Sequence, residues 1–91
     1  MAENNYTMNI QVYEPKTFAD AETIAKSIVD GRAAIMNIRR MRTDEAQRAI
    51  DFLTGVIYAL NGTIQKIGHK VLLISPANCT VEGTINYLEE E

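Results

Sequence analysis

The chain has no tryptophan, one cysteine, one histidine and two prolines, and each scarcity closes off a class of protein. A lone Cys79 forms no intrachain disulfide, so stability must come from packing, and this usage fits a reducing cytosol. With one imidazole and one thiol, no spacing of His, Cys, Asp and Glu matches a metal site, and no acid, base and nucleophile converge. His69 falls in a predicted turn. No glycine-rich phosphate loop opens a helix, and no apolar run approaches the roughly 20 residues of a membrane span. Asn78-Cys79-Thr80 reads as a glycosylation sequon but follows no signal peptide. Neither an enzyme nor a bound cofactor or metal is expected.

What is present is apolar. Of 91 residues, 46% are hydrophobic, enough for one domain with one core, spanning 8–91 after a short polar segment, 1–7, expected to be disordered. So small a body has an unfavourable ratio of surface to volume, and burying a face against a second copy is a natural remedy. An oligomer is expected. The net charge of −3, from nine basic and twelve acidic residues, argues against a general nucleic-acid binder. Arg39-Arg40-Met41-Arg42, joined by Lys70, runs against that trend. It reads either as a solvated loop or as a site for an anionic ligand or RNA.

Met8 to Tyr13 alternates, with Met8, Ile10 and Val12 on one side, which predicts a half-buried strand ended by Pro15. Thr17 caps the next helix, with Asp20 three residues on in the capping-box position. Phe18, Ala21, Ile24, Ala25, Ile28 and Val29 recur at helical spacing until Gly31. Ala33 to Ile38 has little alternation, as suits a central strand, and a helix between two strands predicts a parallel pair. Thr43 is the expected cap of the second helix, with Asp44 and Glu45 at its positive end. Its core stripe is Ala46, Ala49, Ile50, Leu53, Ile57 and Leu60, closed by Asn61-Gly62.

Thr63–Ile67 and Lys70–Ser75 read as an antiparallel hairpin turning at Gly68-His69, and Pro76 ends it. Val71-Leu72-Leu73-Ile74 is apolar on both faces, which leaves hydrophobic area on the side the helices do not cover. Beyond it, Val81, Ile85 and Leu88 suit a short strand or helix. The fold class is therefore α/β: a two-layer sandwich with two main helices on one face of a mixed four- to five-stranded sheet, in the order β-α-β-α-β-β.

Gly55 is the anomaly. Inside a helix, glycine costs about 0.5–1 kcal/mol relative to alanine, so its place beside Phe52 implies that another backbone or side chain comes very close. Phe52, Val56 and Ala59 form a second apolar side around that gap, offset from the core stripe. They either widen the buried face or receive a neighbouring molecule.

Ala46-Gln47-Arg48, Asp51-Phe52-Leu53-Thr54-Gly55, Tyr58-Ala59-Leu60-Asn61-Gly62, Ile64-Gln65-Lys66-Ile67-Gly68 and Ser75-Pro76-Ala77-Asn78 together resemble the domain of SepF, a cell-division protein family that binds FtsZ. The likeness runs from about Val12 to Ile85. It implies a cytoplasmic protein at the division site that forms homodimers and larger polymers, with Phe52, Gly55, Val56 and Ala59 as the self-association strip. It further implies that Lys66 and Leu72 lie in a pocket for the C-terminal tail of FtsZ, an apolar segment with acidic residues that suits a cation beside greasy groups. Leu72 stands where an aromatic residue is common in the family, so it offers an apolar contact without ring geometry. Family members attach to the membrane through an N-terminal amphipathic helix, and Met1 to Thr7 has no apolar face of that kind.

Overall fold

The computed structural model describes residues 10–77. Expectations placed on 1–9 and 78–91, among them the disordered start, Met8, Cys79 and a C-terminal strand or helix, lie outside the described residues. Within them the chain forms β1 (Ile10–Tyr13), α1 (Phe18–Val29), β2 (Ala33–Asn37), α2 (Thr43–Ala59), β3 (Thr63–Gly68) and β4 (Val71–Ser75). The strands make one sheet in the order β1-β2-β4-β3. β1 and β2 are parallel and the remaining pairs antiparallel. This is the mixed sheet and the element order expected from the sequence.

Both helices pack on one face. α1 lies against β2 and α2 against β3, and the core between the layers is built from Ala21, Ile24 and Ile28 of α1, Ala49, Leu53 and Ile57 of α2, and Ala34, Met36 and Ile74 of the sheet. Alanine at 21, 34 and 49 removes side-chain bulk at the contact and lets the layers close. The expected α2 stripe holds, with Ile50 and Leu60 at its partly buried margins.

Helix ends follow from local chemistry. The carboxylate of Asp20 accepts the N–H of Lys16 at 2.9 Å and of Thr17 at 3.3 Å, closing the start of α1. Both helices finish in Schellman motifs. In α1, the N–H of Gly31 bonds the carbonyl of Ile28 and that of Arg32 the carbonyl of Ser27. In α2, Asn61 bonds Tyr58 and Gly62 bonds Ile57. The residue in the left-handed region is Gly31 at φ 95° in the first case and Asn61 at φ 57° in the second.

Three local expectations are corrected. Thr43 is the first residue of α2, and the N-cap is Arg42, which makes no side-chain cap. The hairpin turns at His69-Lys70, since Gly68 still pairs with Val71 across a bulge after Lys66. It is Lys70, at φ 60°, that takes the left-handed backbone. Finally, the apolar side of β1 is turned away from the helices: Ile10 is 39% and Val12 74% exposed, while Tyr13 packs against the core. Alternation gave the strand but not which of its sides the helices cover.

Candidate functional site

Paired residues on neighbouring strands share a face. The register therefore sets Tyr13, Met36, Leu72 and Lys66 in one row across the sheet, on the helix side where Met36 is buried. Leu72 packs against the core margin and Lys66 stands opposite it on the outer strand, exposed. The two residues singled out for a tail pocket are thus cross-strand neighbours at the β3 edge, on the side that α2 covers. An aliphatic stem and a cation adjoin a partly buried leucine there, a pairing that suits an apolar peptide carrying acidic groups.

The adjacent row, Val12, Ile35, Leu73 and Gln65, crosses the opposite face. No described helix covers it.

On α2, the strip of Phe52, Gly55, Val56 and Ala59 faces outward and toward α1. Phe52 is partly exposed and its ring lies 5.5 Å from that of Phe18. The guanidinium of Arg48 sits 4.5 Å over the Phe18 ring, a cation–π contact. Beside Phe52 runs a groove of about 480 Å³ floored by Ala25 and Val29, with Val29 60% exposed. The apolar strip is therefore wider than the sequence stripe on α2 suggested, because α1 contributes to it. Val29 carried the signal: it sits at the edge of the α1 helical pattern.

Gly55 has nothing within 4 Å of the position a Cβ would take. The close neighbour expected from the sequence is not found within the described part of the chain. Gly62 is the opposite case, since a Cβ there would overlap the Ser75 carbonyl oxygen and lie 2.9 Å from Pro76 Cα. Of the two glycines, Gly62 is the one the fold itself requires.

The basic loop is locally matched. Arg40 pairs with Glu14 at 3.4 Å, Arg42 with Asp44 at 3.5 Å, and Arg39 bonds the Asn37 side-chain oxygen through its backbone N–H at 3.0 Å. Glu14 and Asp44 offset much of the field that would draw an anionic ligand. Among the described residues, no group of three or more His, Cys, Asp and Glu is placed to hold a metal ion. No described helix is long and apolar enough to cross a membrane.

Comparison with known proteins gives a consistent result. Residues 10–81 match the family model described as cell division protein SepF. The cell division protein SepF of Lactobacillus gasseri is 40% identical over 85 residues, covering 93% of this chain and 59% of that protein. The SepF of Bacillus licheniformis is 46% identical over 78 residues, covering 86% and 52%. The chain thus spans between half and three fifths of the length of these relatives. Among solved structures, a SepF-like protein from Archaeoglobus fulgidus superposes with a TM-score of 0.75 at 21% identity, over 82% of this chain and 93% of that one. A second, from Pyrococcus furiosus, gives 0.69 at 16% identity, over 84% and 95%. These two structures share the fold.

Proposed function

The chain belongs to the SepF family of cell division proteins, and from that premise we propose that it is an interaction module which self-associates and binds the C-terminal tail of FtsZ. On this reading it aligns or bundles FtsZ filaments at the division site, on the cytoplasmic side, and links them to the membrane through a segment other than the domain described. No catalytic step is assigned to it. The observation that carries the tail-binding reading is the pairing of Lys66 with Leu72 directly across β3 and β4, on one face and at what is, among the described residues, an edge of the sheet. An apolar acidic peptide placed there has its greasy side chains against Leu72 and a carboxylate toward the ammonium.

Self-association is supported by Gly55. A helix glycine that no atom of the described chain approaches costs stability without return among the described residues, and it lies in a strip with Phe52, Val56 and Ala59 that α1 extends. A second copy packed there would use the missing side chain.

The test is a titration with the FtsZ C-terminal peptide, followed by calorimetry while light scattering gives the mass of the complex. Saturable binding that survives moderate salt and is lost in Lys66→Ala and Leu72→Ala supports the tail site. Binding of unchanged strength in both variants removes it. Gly55→Lys should lower the mass without loss of helix content; an unchanged mass would rule out the α2 strip.

A further inference from the structure

Both helices lie on the side of the sheet that holds Ala34, Met36 and Ile74, and no described helix or strand crosses the other side. Ala33 points to that other side, yet it is 0% exposed and is not part of the core between the layers. Ser75, which follows the helix-facing Ile74, shares the side of Ala33 and is 1% exposed. Its hydroxyl and the Oε1 of Gln65, opposite Leu73, are buried without a hydrogen-bond partner. Ile35, Leu73 and Val71 are half-buried, whereas Val12 on β1 is exposed. The shielded strip thus follows the β2–β4 seam, reaches β3 at Gln65 and leaves β1 out. Side chains of neighbouring strands stand beside one another and not above, so a bare sheet does not hide an alanine.

The chain leaves β4 at this strip: Ser75 and Pro76 are buried, and residues 78–91 follow the exposed Ala77. In that stretch Val81, Ile85 and Leu88 recur at i, i+4 and i+7, and on a helix Glu82, Asn86, Glu89 and Glu90 turn away from them. A helix over 81–91 is about 16 Å long, and the path along β4 from Ser75 back to Val71 is about 13 Å. The far end of that path is positive. The N–H of Ile38 bonds the carbonyl of Lys70, which sets Arg39 beside the turn. Asn37 pairs with Val71 and shares its face, and the Nε of Arg39 bonds the Asn37 side-chain oxygen at 3.4 Å, so the guanidinium is held toward the uncovered side. Among the described residues no carboxylate pairs with Arg39.

We propose that the occupant of this face is the chain's own segment 80–91, folded back as an amphipathic helix along the β2–β4 seam. Val81 then sits over Ala33 and Ser75, Ile85 over Ile35 and Leu73, and Leu88 over Val71. The unpaired N–H groups of the first turn lie at Ser75 and give its hydroxyl a donor. Thr84 and Asn86 flank Ile85 at the level of Gln65 and supply one to its Oε1. Glu89-Glu90-Glu91 ends beside Arg39 and Lys70, whose positive charge also favours the negative end of the helix dipole. The domain becomes three layers, and the sheet face is closed to other molecules, which confines binding to the helix side and the β3 edge. This cover depends neither on the tail site nor on Gly55.

The experiment is disulfide trapping in the full chain, with Cys79→Ser removing the native thiol. Under mild oxidation, Leu73→Cys with Ile85→Cys and Val71→Cys with Leu88→Cys should each close roughly tenfold or more faster than Tyr58→Cys with Ile85→Cys, since Tyr58 is exposed on the helix layer. The product should have the mass of one chain, at a rate independent of chain concentration. Equal rates in the three pairs mean that the segment roams, and cross-links formed only between chains put a second copy on the face. Either result overturns the proposal. Ile85→Asp in the otherwise unchanged chain gives a readout without thiols: binding of a hydrophobic dye should rise several-fold as the seam opens. An unchanged dye signal in a chain that circular dichroism shows to be folded overturns it as well. Should a cysteine in β4 prevent folding, Ile85→Asp still decides, because residue 85 is no part of the described sheet.

Discussion

The side-chain carboxylate of Glu45, in the first turn of α2, accepts the backbone N–H of Phe18 at 2.9 Å, so that one helix caps the start of the other. The two residues are 27 positions apart. Nearby, the Phe18 ring meets the Phe52 ring and the Arg48 guanidinium, which fastens the start of α1 to the body of α2. Glu45→Ala should lower stability by about 1 kcal/mol, the usual cost of a lost cap, read as a shift in the denaturant midpoint at constant slope. An unchanged midpoint would mean the bond contributes nothing.

Gly62 is predicted to be the least replaceable glycine. A Cβ there collides with backbone atoms of Ser75 and Pro76, neither of which is a flexible side chain that could move aside. Gly62→Ala should destabilise by about 2 kcal/mol or more, within the range typical of overpacking. Thermal unfolding decides it, since a loss of a few tenths would show that β4 shifts freely.

Gly55 should behave in the opposite way. With open space at its Cβ position, Gly55→Ala should stabilise the isolated domain by about 0.5–1 kcal/mol through helix propensity, measured by denaturation at high dilution. Destabilisation under those conditions would reveal an intrachain contact at this position.

These two glycines show how much the sequence disclosed. Element order, the α2 core stripe and both Schellman stops were legible, because periodicity of 3.6 and the Gly31 and Asn61-Gly62 signals are local. The place of Lys66 opposite Leu72 was not legible, since a turn at Gly68-His69 would set Lys66 against Val71, and it is the later turn and the bulge after Lys66 that bring Leu72 opposite. What was not legible depended on packing between distant segments. Glu45 looks like a residue serving its own helix start and instead caps α1. Val12 looks like a core residue and faces out, because the side of a strand that helices cover is decided by the layer and not by the alternation. The turn was misplaced by one residue, since a lysine in the left-handed region leaves no compositional trace.

Lys70 supplies the next prediction. At φ 60° it holds a backbone conformation that costs a residue bearing a Cβ about 1–2 kcal/mol, and its carbonyl accepts the N–H of Ile38 at 2.9 Å, extending the β2–β4 ladder. Lys70→Gly relieves the strain, keeps that carbonyl and admits a more flexible unfolded chain. The net expected change is a gain of about 0.5–1 kcal/mol in the denaturant midpoint. A loss would show that the lysine side chain makes a contact worth more than its strain.

Asp20 ties stability to acid. Its carboxyl is held below the ordinary value of 3.8 by the backbone N–H of Lys16 first and of Thr17 second. A group whose pKa is lower folded than unfolded favours the folded state when ionised, so its contribution is complete above the unfolded pKa and disappears as pH falls through the folded one. Asp20→Asn keeps the shape and removes the charge. The variant should melt below the parent at neutral pH, and the gap between their melting temperatures should shrink as pH drops below about 4. A gap that stays constant down to pH 2 would assign the effect to helix propensity alone, leaving the start of α1 without an ionised cap.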